Sequence, residues 1–227
     1  MRIDAVIPAR NEATTVAAVV TAAVGCRYVR DVVVVDDGST DGTAERALAA
    51  GAKVVRRDAQ VGSKAKAMEA GVAATDAEAI LFCDADCLYL TTTHLDDVCR
   101  PFVEGRADMS LGWFDYGFLN PLVLRLPPTT GERVIPRWVW DAVPADKRHG
   151  YAIEIMINEV VAETHLSTTA RILPGVTHRT KRDKLGLVRG YRETWRMFWH
   201  LVGLPIRRVV RWRTYWFYLR NLTVESS

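Results

Sequence analysis

Two acidic residues, Asp84 and Asp86, stand one residue apart directly after a short apolar run, residues 79–83 (AILFC). Such a run is typical of a central parallel strand that is buried on both faces. Packing alone would not end this strand in two carboxylates, because burying an unpaired carboxylate costs several kcal/mol. Open α/β sheets bind ligands at the carboxyl ends of their strands. Mg²⁺ typically takes one or two carboxylates together with substrate phosphate oxygens, so the pair suits a divalent cation.

The D-x-D pattern is short, and by itself it fits two solvated loop acids equally well. The elements around it decide between the two interpretations. Apolar or β-branched runs predict strands over residues 3–8, 31–35 and 52–56. Each is followed by a polar turn and then by a helix; these helices reach about residues 24, 50 and 74, and Asn11 is a good N-cap for the first. This alternation predicts a doubly wound, mostly parallel sheet with right-handed crossovers.

Three turns should therefore face one crevice: residues 8–12, 36–41 and 84–86. None contains the G-x-G-x-x-G fingerprint or a G-x-x-x-x-G-K-[ST] loop, which argues against NAD and against ATP held by a P-loop. Asp36 could accept a hydrogen bond from a base or ribose, while capping of the turn fits Asp37 or Ser39 better. Lys64 begins a helix, where the dipole favours anions, so we expect it to bind phosphate.

Four stretches in this order carry a resemblance to a known family: residues 6–12 (VIPARNE), 34–43 (VVDDGSTDGT), 62–67 (GSKAKA) and 82–86 (FCDAD). They resemble the successive motifs of family 2 glycosyltransferases, closely over residues 3–115 and more loosely to about residue 180. The resemblance implies an α/β GT-A (Rossmann-like) domain over residues 1–180. It also implies a metal-dependent enzyme that uses Mg²⁺ or Mn²⁺ to move a sugar from a UDP- or GDP-sugar to an acceptor.

The resemblance also implies roles for individual residues. The first two turns would hold the nucleotide base and ribose, and the lysine motif would lie near the nucleotide. Asp84 would touch the ribose or sugar, and Asp86 would bind the metal on the diphosphate and so serve catalysis directly. An aromatic or smaller residue is more usual where this chain has Arg10. The residues expected to bind the donor are Pro8, Ala9, Arg10, Glu12, Asp36, Lys64 and Asp84.

The acceptor side is predicted from a later stretch. A short helical segment is expected over residues 130–143 and a longer helix over residues 150–164, with Glu154 in its first turn, where an acid complements the dipole. By resemblance, Glu154 is a candidate base or a ligand of the acceptor hydroxyl. Inversion needs such a base, yet some retaining sugar–phosphoglycerate synthases look similar here, so both outcomes and a small phosphorylated acceptor remain open. The other predicted acceptor-binding residues are Gly131, Glu132, Arg133 and Tyr151.

His178 follows a further predicted strand, over residues 166–176. A single histidine is usually structural, but some GT-A enzymes bring in a histidine at this point as an additional metal ligand. The resemblance therefore adds His178 to Asp86 as a metal ligand, leaving room for diphosphate oxygens and water.

The charge is unevenly distributed along the 227 residues. Residues 179–227 contain twelve Lys or Arg and three Asp or Glu, whereas residues 1–178 contain eighteen and twenty-four. Residues 181–227 are expected to form a helical, basic and aromatic extension with a break at Pro205. Interleaved Trp, Tyr and Arg favour an anionic membrane surface, which would make the protein peripheral on the inner face and its acceptor lipid-linked. The competing interpretations are packing against the body and a homodimer interface; nucleic acid is not expected.

Two other functional classes compete with the enzyme. A nucleotidyltransferase should have a glycine-rich loop after the first strand, where this chain has residues 8–11 (PARN). A non-catalytic nucleotide-sugar-binding or membrane-adaptor protein would not need its acidic pair and lysine intact. Four cysteines without a C-x-x-C pair favour reduced thiols, and we see neither a leader nor an apolar run of about eighteen residues. We therefore expect a cytoplasmic protein.

Overall fold

The computed structural model describes residues 1–115, 128–148, 153–178 and 211–225. Strands and helices alternate through most of these ranges, and a single 3₁₀ turn spans Ala145–Lys147. In chain order the elements are β1 Ile3–Ala9, α1 Val16–Gly25, β2 Val29–Asp36, α2 Thr43–Ala49, β3 Lys53–Arg56, α3 Lys64–Ala73, β4 Ala79–Phe82, β5 Cys87–Leu88, α4 Thr92–Val103, β6 Met109–Phe114, β7 Arg133–Pro136, α5 Arg137–Asp141, α6 Ile153–Glu163, β8 Thr168–Leu173, β9 Thr177–His178, α7 Trp212–Asn221 and β10 Leu222–Glu225.

Eight of these strands form one sheet in the order β10-β8-β6-β7-β4-β1-β2-β3. Neighbouring strands run parallel except at β7, which lies antiparallel between β4 and β6. The short strands β5 and β9 pair antiparallel beside this sheet. The predicted doubly wound, mostly parallel α/β fold is confirmed.

Helices cover both faces of the sheet, as the continuous apolar strands require. On β1, Ile3, Ala5 and Ile7 pack with α1 and α4 in one core, while Val6 packs with α3, α5 and α6 in the other. This arrangement buries the central strands on both sides and leaves their carboxyl ends as the open edge of the layer.

Two local predictions within residues 1–178 are wrong, and in the extension residues 222–225 form strand β10 rather than part of a helix. Residues 133–136 were expected to begin a helix, but they form β7, because Val134 and Ile135 each fill one of the two cores while their backbone pairs with β4. Asn11 does not cap α1, which begins after Thr15. Asn11 has a left-handed φ of 56°, and its side-chain oxygen accepts from the Thr40 N–H at 2.8 Å, which joins the first two turns.

The described part of the C-terminal extension packs against the body. β10 extends the sheet in parallel beside β8, and Tyr218 of α7 is buried, with its hydroxyl donating to the Asn158 carbonyl at 3.3 Å. Glu225 accepts from Arg106 and Arg171 at 2.6 Å each. Packing against the body is thus the interpretation that these residues support, and the break expected at Pro205 lies outside them. No helix in the described ranges is long and apolar enough to cross a membrane.

Candidate active site

A cavity of about 550 Å³ opens at the carboxyl ends of β1, β2 and β4. It is bordered by the first turn, by the start of α3 and by the D-x-D turn. Every residue expected to bind the donor, except Asp36, lines this cavity. The lining residues are Pro8, Ala9, Arg10, Glu12, Asp37, Gly62, Ser63, Lys64, Ala67, Asp84, Ala85 and Asp86.

The two neighbouring acids Asp36 and Asp37, at the end of β2, make different contacts. Asp36 is buried and accepts from the Ser39 N–H at 3.0 Å, so it caps the turn. Asp37 lines the cavity, where it accepts from the Ser63 N–H at 2.5 Å and pairs with Arg57. Sequence reasoning missed Asp37 because both acids follow the strand directly, and only the direction of each side chain separates them.

Arg10 braces one wall of the cavity. Its guanidinium donates to the Asp37 carbonyl at 2.7 Å and to the Ala59 carbonyl at 3.1 Å. A Cβ on Gly62 would lie 2.6 Å from the Arg10 side chain, which would have to shift to make room for it. The arginine that departs from the family pattern therefore ties the first turn to the loop that leads into α3.

Lys64 joins the two sides of the site. Its ammonium lies 2.5 Å from Asp84 Oδ1 and 2.6 Å from Glu154 Oε1. Burial lowers the pKa of Lys64, but the charges of Asp84 and Glu154 outweigh burial and raise that pKa well above its ordinary value. The lysine therefore stays protonated, and it links the D-x-D turn to the first turn of α6.

A buried carboxylate supports the D-x-D turn from behind. Glu132 is fully buried, and its Oε1 accepts from the Asp84 N–H at 3.2 Å and from the Cys87 thiol at 2.9 Å. Burial, followed by the charge of Asp84, raises the pKa of Glu132. A Cβ on Gly131 would overlap the Asp84 carboxylate, so any larger residue here would displace that side chain.

Arg133 is also buried rather than facing the cavity. Its guanidinium donates to the Glu154 carbonyl at 3.2 Å, to Asn158 Oδ1 at 2.9 Å and to the Thr130 carbonyl at 3.1 Å. Burial lowers its pKa. Arg133 thus fixes α6 against β7, while Tyr151 lies outside the described residues.

β9 places the backbone of His178 beside the D-x-D turn, but His178 is not among the residues that line the cavity. Its backbone lies opposite Cys87, the residue after Asp86, and its exposed ring meets Phe114 edge-on with the ring centres 4.9 Å apart. Within the residues that the structure describes, no group of three or more His, Cys, Asp or Glu side chains could hold a metal by itself. A cation bound by Asp86 and His178 would need ligands from the substrate, as is usual for Mg²⁺. Asp84, Asp86 and Glu154 together carry more negative charge than Lys64 balances, which suits such a cation.

The family profile described as Glycosyl transferase family 2 matches residues 4–156. The chain belongs to glycosyl transferase family 2. The matched span covers the first turn, the D-x-D turn and Glu154, so the predicted family is confirmed for most of the chain, including the cavity.

Among curated proteins, this family 2 chain is similar to glucosyl-3-phosphoglycerate synthase of Mycolicibacterium smegmatis, with 39% identity over 92 residues. The match spans 37% of this chain and only 30% of that relative. A solved Mycobacterium tuberculosis glucosyl-3-phosphoglycerate synthase in complex with Mn²⁺, UDP-glucose and phosphoglyceric acid has a TM-score of 0.65 and 25% identity, covering 78% of this chain and 71% of that one.

A second structure of that synthase, in complex with Mn²⁺, UDP and glucosyl-3-phosphoglycerate, has a TM-score of 0.73 and 24% identity. It covers 92% of this chain and 80% of the other, so it extends the likeness in fold beyond the matched family span. The predicted GT-A fold is confirmed.

Proposed function

We propose that the protein transfers a sugar from a nucleotide-diphosphate sugar to an acceptor, with a divalent metal. The observation that carries this proposal is that Lys64, which lines the cavity with Asp84 and Asp86, contacts both Asp84 and the buried Glu154. This contact joins a cation that could bind phosphate, a D-x-D turn and an acid from a separate helix, which is the combination that a two-substrate site requires.

Asp86 and His178 are the residues that would hold the metal, with diphosphate oxygens completing its ligands. The chemistry that Mg²⁺ or Mn²⁺ supplies when bound is neutralisation of the charge that develops on the departing nucleoside diphosphate. Lys64 would share this task, because its ammonium is already held at the D-x-D turn and points at the same region. Asp37, Arg10 and the turn at residues 8–12 would orient the nucleotide.

We propose UDP-glucose as the donor and a small phosphorylated acid as the acceptor. Support comes from the solved synthase, whose complex contains UDP-glucose and phosphoglyceric acid. Glu154 is the candidate on the acceptor side, either as a base or as a ligand of the hydroxyl. Gly131 would shape that side, and the burial of Glu132 and Arg133 favours supporting roles for both.

The test is release of UDP from UDP-glucose in the presence of Mn²⁺, with and without 3-phosphoglycerate, followed by identification of the sugar product. GDP-sugars serve as the alternative donors. We expect release that requires both the metal and the acceptor, and its loss in Glu154→Gln. No release from any nucleotide sugar, despite metal-dependent binding of UDP, would favour the non-catalytic binding protein instead.

We further propose that residues 1–180 form the catalytic domain and that residues 181–227 are an extension. One part of this extension, β10, pairs at the edge of the sheet. A cytoplasmic location is supported by the cysteines, since Cys26, Cys83, Cys87 and Cys99 are all buried as free thiols.

An anionic membrane surface is a second candidate partner, favoured by one face of α7. Trp212, Trp216 and Leu219 are exposed at helical spacing, and the Arg220 guanidinium lies 5.6 Å from the Trp216 ring centre. Trp and Arg together suit a lipid headgroup region. Flotation with anionic and neutral liposomes at low salt tests this proposal; failure to float, with dimers seen by light scattering, would assign the face to a homodimer.

A further inference from the structure

The Glu132 carboxylate lies directly beneath the turn from Asp84 to Cys87. It belongs to the segment that enters β7, and none of its surface is exposed. Both of its oxygens already have protein donors: Oε1 has the Asp84 N–H at 3.2 Å and the Cys87 thiol at 2.9 Å, and Oε2 has the Thr130 hydroxyl at 2.6 Å. An acceptor molecule could not reach this carboxylate without displacing those bonds.

One oxygen therefore holds both ends of the turn. The first end is the backbone of Asp84, and the second is the side chain of Cys87, whose backbone in turn pairs with His178. Asp86 lies between the two ends and faces the cavity. Because a single buried acceptor atom receives both hydrogen bonds, its distance from β7 fixes where the two donors lie.

Close packing around Glu132 restricts the turn further. Gly131 leaves no space between its backbone and the Asp84 carboxylate, and a Cβ on Gly112 would lie 3.1 Å from the Glu132 Cβ. The residues that lead into β7 thus contact Asp84, in addition to the pairing of β7 with its neighbours in the sheet.

We propose that Glu132 is a positioning residue, which sets the geometry of the D-x-D turn and of the strand that carries His178. It does so because the length of its side chain sets the distance from β7 at which its oxygens accept hydrogen bonds. Only one part of this proposal rests on the proposed function: that Asp86 and His178 are thereby held at the spacing that a metal–diphosphate complex requires.

Two conservative variants separate the effect of the side-chain length of Glu132 from the effect of its charge. Glu132→Gln keeps an oxygen at the same distance, whereas Glu132→Asp keeps the charge but withdraws it by one methylene group. We expect Glu132→Gln to bind UDP with Mn²⁺ nearly as the unmodified protein does. Glu132→Asp should bind about tenfold more weakly, since it loses hydrogen bonds from the turn to a charged acceptor.

A measurement without ligand tests the contact itself. Hydrogen–deuterium exchange at the Asp84 amide should speed up in Glu132→Asp but stay slow in Glu132→Gln. The control is Asp96→Asn, which alters another buried acid; Asp96 lies on α4 and accepts a hydrogen bond from Arg27. It should lower the melting temperature without changing exchange at Asp84 or the dependence of UDP binding on Mn²⁺.

Unchanged exchange at Asp84 in folded Glu132→Asp would overturn the proposal, whatever the ligand data show. So would equal weakening in Glu132→Asp and Asp96→Asn, because that outcome indicates a loss of stability alone. If the unmodified protein does not bind UDP with Mn²⁺, the proposed function fails, while the exchange data still decide whether Glu132 holds the turn.

Discussion

At the scale of single residues, the site depends on one ammonium between two carboxylates. Lys64 contacts Asp84 and Glu154 at 2.5 and 2.6 Å, and Glu154 is almost completely buried. Because the pKa of Lys64 is raised on folding, its contribution to stability is fully present below about pH 10.5 and is lost only as the pH rises through the raised value. The pairing therefore operates unchanged across the neutral range.

Lys64→Met should destabilise the protein by about 3 kcal/mol, because it leaves buried Glu154 without its counter-charge. Chemical denaturation between pH 6 and 9 measures this loss, which should be constant over that range. The matched control is the double variant Lys64→Met/Glu154→Gln, which should regain much of the stability but not the binding of UDP. Equal instability of the single and double variants would contradict the pairing.

The sequence singles out charged residues whose charge conflicts with their surroundings, and the structure places three of them, Asp84, Asp86 and Lys64, in the cavity. Asp84 and Asp86 follow a buried strand, and Lys64 begins a helix, so each calls for a ligand. Asp36 and Asp37 cannot be separated in this way, because neighbouring residues point in opposite directions and only the tertiary contacts of each decide. The burial of Glu132 and Arg133 likewise follows from strand pairing that is distant in sequence.

At the scale of elements, the site depends on β7, a strand that the sequence analysis did not predict. Residues 130–143 contain Arg, Trp and few glycines, which is compatible with a helix, and their β-branched pair is short. β7 lies antiparallel between β4 and β6 because it pairs with strands that are distant in sequence, and this pairing overrides the local helical propensity. β7 then delivers Gly131 and Glu132 to the D-x-D turn.

Gly131→Ala should weaken UDP binding in the presence of Mn²⁺ by about tenfold, since the added methyl group must push the Asp84 carboxylate aside. Calorimetric titration measures the change. Gly42→Ala is the control, because its Cβ would lie 3.9 Å from the nearest atom, a flexible Arg46 side chain. If both variants bind alike, close packing at Gly131 has no bearing on the site.

At the scale of the whole molecule, the C-terminal extension joins the body at one edge of the sheet, where β10 pairs with β8. The basic extension was predicted to bind a negatively charged partner. In the described residues, its Arg211 and Arg213 form ion pairs with Glu163 of the body. Composition predicted the attraction but could not say whether the acids would belong to a lipid surface or to the protein itself.

Tyr218→Ala should cost about 3 kcal/mol or more of unfolding free energy, because it empties a buried aromatic position between α7 and α6. Trp216→Ala, on the exposed side of the same helix, should cost less than about 1 kcal/mol. Thermal and denaturant unfolding compare the two. A larger loss in Trp216→Ala would mean that the outer face, not the inner one, is covered by protein.

The central claim is that Asp86 holds a divalent metal on which nucleotide binding depends. Calorimetric titration of UDP with Mn²⁺ and with chelator tests it most directly, on the unmodified protein, on Asp86→Asn and on Asp141→Asn, an exposed acid on α5. We expect Mn²⁺ to tighten UDP binding about tenfold or more in the unmodified protein and in Asp141→Asn, and to have little effect in Asp86→Asn. Equal tightening by Mn²⁺ in Asp86→Asn would contradict the claim.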